Sequence, residues 1–196
     1  MKSFAISGSL RENVGKRDAK ELRYQGKVPA VLYGGKEQYH FSVSAADLKP
    51  LVYTPDVHFV EINLDGSKYQ AIVQETQFHP LTDVLRHIDF LLLDDKKPVS
   101  VSIPIKLTGT SPGVREGGKL IQKLRNLRVK ALPNDLPQYI EVSLEPLTVG
   151  KSVRVDEVKL DKVTILNNGD DTIVSVITSR ALRQAEQEAA KTGGKK

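Results

Sequence analysis

The chain contains no cysteine, which excludes disulfides, thiolate metal sites and thiol nucleophiles at once. Long apolar runs are also missing, and nothing approaches the about 18 consecutive apolar residues of a membrane-spanning helix. The N-terminus, MKSFAISGSL, lacks the apolar core of about 7–15 residues that marks a signal peptide. No Ser or Thr stands in a nucleophile-elbow setting, and no HExxH or comparable ligand spacing occurs. The glycine-lysine cluster Gly113-Val-Arg-Glu-Gly-Gly-Lys119 lacks phosphate-loop spacing and runs into strand rather than helix, so it reads as a β-hairpin loop. These absences predict a soluble cytoplasmic protein with no membrane partner, no cofactor and no bound metal.

What is present is an uneven distribution of charge. The 196 residues carry a net charge of +5, with 39% hydrophobic and 27% charged residues, values of a globular chain long enough for two ordinary domains. Met1–Lys36 holds eight Lys/Arg against three Asp/Glu, whereas Glu37–Lys97 holds five against ten. The first 97 residues are therefore neutral but strongly polarised. A surface polarised in this way points to a polyanion on its basic side, and nucleic acid is the large soluble polyanion that fits.

The basic segment has helical order. With a helix starting at Lys16 and about 100° per residue, Lys16, Lys20 and Arg23 share one face. Asp18 and Glu21 point roughly the other way, and Ala19 and Leu22 form a narrow apolar stripe. Gly26 is placed to end the helix in the left-handed conformation, and Pro29 then forces Val28 extended, ahead of strand AVLY (30–33) and the Gly34-Gly35 turn. Arg11, Arg17 and Lys27 flank the basic face. A helix kept soluble by charge usually mixes its signs; this one segregates them.

Most of the remaining chain reads as strand. Phe4, Ile6 and Gly8 alternate with small polar residues, and Ser44-Ala-Ala-Asp47 resembles a capping box opening a helix to about Val52. HFVEINL, Asp65-Gly66 and SKYQAIVQET spell a type I′ hairpin in which Ile62 faces Tyr69 and Val60 faces Ala71. Its core face holds Val60, Ile62, Leu64, Tyr69, Ala71 and Val73, leaving Gln74 on the other. VLRHIDFLLL (84–93) is a further strand, and Asp94-Asp95-Lys96-Lys97-Pro98 is the best joint between domains. Beyond it the pattern is strands only, a sandwich or open barrel over 98–179, followed by a helical, charged tail at 180–196. The expected fold is thus mainly β with short helices: a small β-barrel domain with helices over 1–95, then an all-β domain.

His87-Ile-Asp89 is the one arrangement with catalytic appearance, since residues i and i+2 of a strand face one side. With His79 and Asp83 upstream it could build a metal or general-base site, a structural pair at a strand edge, or a polar contact in a nucleic-acid groove. A second basic stretch, Lys119, Lys123, Arg125, Arg128 and Lys130, is either a solvated strand face or a secondary RNA contact.

Taken together, Arg11, Gly15-Lys16, Leu22-Arg23, Gly26-Lys27 and Pro29 to Lys36 resemble the signature of bacterial large-subunit ribosomal protein twenty-five. Gln74, His79-Pro80 and His87-Ile-Asp89-Phe90 are similar to that family's closing motif, and the all-β half resembles its long, two-domain form, the Ctc or general-stress-protein type. The resemblance implies a non-enzymatic component of the 50S subunit that binds 5S rRNA at its loop E region through the small barrel. Carried over by motif position, the RNA-facing set is Arg11, Lys16, Lys20, Arg23, Tyr33, Gln74, His87 and Asp89, with Arg17 and Lys27 beside it. Glu21 departs from the pattern, standing where the family often has a basic residue. The second domain is implied to touch 23S rRNA or neighbouring large-subunit proteins. Two competitors stay open: a free RNA-binding stress factor, and an enzyme centred on His87 and Asp89.

Overall fold

The computed structural model describes residues 3–35, 37–160 and 162–178, so the helical tail expected over 180–196 lies outside the described residues. The chain falls into two compact units. One comprises the residues up to Val101 with Ala131–Gln138; the other comprises Ser102–Lys130 and the residues from Tyr139 on.

The first unit contains β1 (Ser3–Leu10), α1 (Lys16–Tyr24), β2 (Lys27–Tyr33), β3 (Tyr39–Ser44), α2 (Ala45–Val52), β4 (Phe59–Leu64), β5 (Ser67–Phe78) and β6 (Leu85–Leu92). Its strands close into a barrel in the order β1-β3-β2-β6-β5-β4. Two antiparallel trios, β1-β3-β2 and β6-β5-β4, join through two parallel seams, β2 with β6 and β4 with β1. The expected barrel with short helices is therefore present.

Strand alternation drives the closure. Val28, Ala30 and Leu32 of β2, Val60 and Ile62 of β4, and Ile88 and Phe90 of β6 point inward and are almost completely buried. Phe41 and Phe90 stack at its centre, with ring centroids 5.9 Å apart. The close approach of β1 depends on Gly8, where a Cβ would lie 2.5 Å from the Phe41 ring. The β4–β5 hairpin has the expected register, Val60 opposite Ala71 and Ile62 opposite Tyr69. Asp65 and Gly66 have φ of 47° and 90°, both left-handed, as a type I′ turn requires. The α2 cap is also as expected, the Ser44 hydroxyl accepting the Ala46 N–H at 3.3 Å, and Leu48 and Leu51 cover the core.

One feature of β5 departs from simple alternation. Val73 pairs with Phe90 and Glu75 with Asp89, so Gln74 is an extra residue bulged out of the ladder. The pairing of Gln77 with His87 and Phe78 with Leu85 marks a second irregularity. Both fall on the face considered below.

The remaining elements are β7 (Val99–Thr108), α3 (Pro112–Arg115), β8 (Lys119–Gln122), β9 (Asn126–Ala131), β10 (Ile140–Ser143), β11 (Ser152–Arg154), β12 (Thr164–Ile165) and β13 (Thr172–Ile177). They form a four-stranded sheet, β10-β7-β9-β12, and a three-stranded sheet, β11-β13-β8. Strands dominate as expected, but not alone. The segment read as a hairpin loop opens with α3, because Pro112 presets the helical φ of its first position, and 3-10 turns occur at Pro133–Asp135 and Val155–Glu157. β11 spans three residues, too short for alternation to register. In β9, Leu127 and Val129 are buried while Arg128 and Lys130 alternate with them on the exposed side.

Gly113 is a point of close backbone packing in the second unit. A Cβ there would stand 2.6 Å from the Val149 nitrogen and 2.7 Å from the Thr148 carbonyl carbon, both backbone atoms that cannot swing aside. Gly113→Ala is expected to cost about 1–3 kcal/mol of stability by overpacking, read as a lower urea midpoint. An unchanged midpoint would mean that the 148–149 segment yields freely.

Candidate nucleic-acid interface

α1 is a nine-residue helix with no buried residue, too short to persist alone in water. It is held by what it touches. Ala19 and Leu22 are half-buried, and the helix packs on β2. Gly26 follows the Gln25 cap with φ of 76°, as the sequence requires. Arg23 ties the last turn to the start of β6, its Nε donating to the Arg86 carbonyl at 3.0 Å.

Arg11 is a strut. Its Nη2 lies 2.6 Å from Asp18 Oδ2 and donates to the Asn13 carbonyl at 3.2 Å, and its side chain is only 10% exposed. The helix wheel directs Asp18 away from the cations; in the folded chain Asp18 instead turns to Arg11, which precedes the helix and is invisible to a wheel. Burial, then the charges of Arg86 and Arg11, push the Arg23 guanidinium below its ordinary pKa. Arg11 and Arg86 are thus close enough to repel Arg23, and Asp18 pairs with Arg11. Lys20 sits over the Tyr24 ring, 5.8 Å from its centre, while Lys16, Arg17 and Lys27 are exposed.

The second part of the surface is the outer side of β2, β6 and β5. His87 and Asp89 meet directly, Nδ1 to Oδ1 at 2.6 Å, each about a quarter exposed (25% and 26%). The two atoms touch without the geometry of a hydrogen bond, so His87 Nδ1 has no hydrogen-bond partner within the protein. Asp89 lies beside Val31 on one flank and Glu75 on the other, and Gln77 lies beside His87. Tyr33 belongs to the same strip: burial, with the carboxylates of Asp89 and Glu75, raises its phenol pKa. Gln74 stands exposed on the bulge.

The fold therefore brings Arg11 and Arg23 near each other against α1, and His87, Asp89 and Tyr33 onto one sheet face. Sequence reasoning missed Glu75, Gln77 and Arg86. Alternation alone would place Glu75 inward, and only the extra residue at Gln74 turns it out. Among the described residues no group of three or more His, Asp or Glu could hold a metal, and no helix is long and apolar enough to cross a membrane.

Comparison with known proteins gives the class first. Residues 6–90 match the Ribosomal L25p family model, and residues 98–180 match the model for the C-terminal domain of ribosomal protein TL5. Both describe ribosomal proteins. The chain is 47% identical over 191 residues to large ribosomal subunit protein bL25 of Cytophaga hutchinsonii, covering 97% of this chain and 100% of that one. It is 45% identical over 196 residues to bL25 of Amoebophilus asiaticus, covering all of both, and 41% identical over 187 residues to bL25 of Porphyromonas gingivalis, covering 94% and 97%. The chain belongs to the bL25 family of ribosomal proteins, in its long form with both domains. It is accordingly a structural ribosomal protein of the cytoplasm and not an enzyme, which sets aside the catalytic reading of His87 and Asp89.

The Arg11–Asp18 pair generates a test of how α1 is held. Asp18→Ala leaves a nearly buried guanidinium without its partner and is expected to lower stability by about 1–3 kcal/mol. Urea denaturation of the full chain measures it. A loss no larger than that of Glu21→Ala, on the exposed side of the same helix, would show that the pair holds nothing.

Proposed function

We propose that this protein binds 5S rRNA within the large ribosomal subunit, at the irregular loop E helix, through residues 1–95. The observation that carries the reading is the juxtaposition, in one unit, of a basic helix end with a polar sheet face. Lys16, Lys20 and Arg23, with Arg17 and Lys27 beside them, neutralise phosphates, while Arg11 fixes the helix through Asp18. Tyr33, Gln74, His87 and Asp89 meet base edges and sugars in a widened groove, where donors and acceptors discriminate between sequences.

The acids on this face support reading rather than mere adhesion. Asp89 and Glu75 stand side by side on β6 and β5. Carboxylates repel phosphate, so their presence beside a basic helix favours RNA shapes that offer an exposed base amino group. Residues 98–179 are assigned a separate role, contact with 23S rRNA or neighbouring large-subunit proteins. Co-sedimentation with 50S subunits at stoichiometric ratio tests the ribosomal assignment against a free RNA-binding stress factor.

The division of labour has a measurable consequence. Lys16→Ala or Lys20→Ala should weaken 5S rRNA and a scrambled duplex alike, and flatten the slope of log affinity against log salt by about 0.7–0.9. His87→Ala or Asp89→Ala should leave that slope unchanged and cost about 1–3 kcal/mol on 5S rRNA alone. Filter binding from low to moderate salt reads both. Equal losses of the Asp89 variant on the two RNAs would sink the base-reading role.

A further inference from the structure

Between the C-terminal half of α1 and the connection from β5 to β6 lies an open groove of about 520 Å³. Resting on the RNA-binding reading above, we propose that this groove takes one unpaired nucleotide of the bound RNA, its base stacked on Tyr24 and its phosphate among Lys20, Arg23, Lys27 and Arg86. Its lining draws on the start of β2 and of β6 but includes none of Tyr33, Glu75, Gln77, His87 and Asp89.

Four observations converge on that occupant. The volume falls in the range of about 300–1,000 Å³ that holds small ligands, and a nucleotide is such a ligand. The lining includes four cationic side chains and no carboxylate, although acids outnumber bases across Glu37–Lys97. Tyr24 is 82% exposed, so its ring contributes little to folding and presents a large planar face at the groove. Lys20 lies over that ring, placing a cation where the phosphate of a stacked nucleotide would run.

The walls are also fixed in place. Arg23 is anchored to the Arg86 carbonyl, which ties the two sides of the groove together. The crowding of Arg23 by neighbouring arginines is relieved by an anion arriving there. On the opposite wall, His79 closes the connection: its carbonyl accepts the Asp83 N–H and its backbone N–H donates to the Val84 carbonyl, each at 2.9 Å. His79 Nδ1 accepts the Leu81 N–H at 3.3 Å, which leaves Nε2–H as the ring's donor. Stacking on an exposed aromatic ring, with cations on the backbone, is how proteins hold unstacked bases.

The chain has no tryptophan, so Tyr24→Trp places a single indole fluorophore in the groove. In the full-length protein, 5S rRNA should quench its emission, whereas inorganic polyphosphate, which offers charge without bases, should not. Tyr24→Ala should bind 5S rRNA about 5- to 150-fold more weakly with an unchanged salt slope, the loss expected of one base–aromatic stack. Tyr24→Phe should stay within twofold of the wild type. If Tyr24→Ala also stays within twofold, or if polyphosphate quenches as strongly as RNA, the groove holds no stacked base. The wild-type titration on 5S rRNA separates the two readings. Binding by the wild type with an unaffected Tyr24→Ala variant overturns the groove alone, and no binding by the wild type overturns both.

Discussion

Everything on the candidate interface depends on closing the six-stranded barrel. The closure rests on two parallel seams, β1 with β4 and β2 with β6, around the stacked rings of Phe41 and Phe90. Parallel pairing brings together segments that no tight turn can join, so the apolar interior must hold them. Once Ala30, Leu32, Ile88 and Phe90 are committed inward, Val31, Tyr33, His87 and Asp89 have no alternative to the outside. The polar strip is thus a geometric consequence of the core. A slip of one residue between β2 and β6 would bury it.

The helix is a dependent of the barrel in the same sense. Nine residues cannot stabilise themselves, and no α1 side chain is fully buried. Two polar anchors fix it instead: Arg11 to Asp18 at its beginning and Arg23 to the Arg86 carbonyl at its end. Each anchor uses a cation, so the residues that position the helix also build its positive field. Arg23 carries the cost, held among like charges and partly desolvated. An anion at this end offsets that cost, and a cationic surface of this kind is therefore better satisfied bound than free.

The sheet face follows a different logic. It is not basic, and it mixes Tyr33, Glu75, Gln77, His87 and Asp89 within a few strand positions. Such a surface gains little from a plain phosphate backbone. Its donors and acceptors reward a partner that presents matching groups, while the neighbouring helix supplies sequence-independent attraction. The bulge at Gln74 is what makes the strip dense, because it turns Glu75 out beside Asp89 and leaves Gln74 itself projecting.

What could be read from the sequence was whatever local periodicity encodes. The β4–β5 hairpin, its register and its left-handed turn follow from Asp65-Gly66 and the alternation around it, because each involves residues only a few positions apart. The basic face of α1, its end at Gly26 and the Ser44 cap are local in the same way. The parallel seams, the meeting of Arg11 with Asp18, the reach of Arg23 to Arg86 and the outward turn of Glu75 were not legible. Each is set by contacts or cross-strand register outside a single helical or strand period, and a residue's own neighbourhood carries no record of them. The type of each element and the chemistry it carries were determined by the sequence read alone. Which of those chemistries share a surface was decided only when burial of the apolar faces closed the barrel.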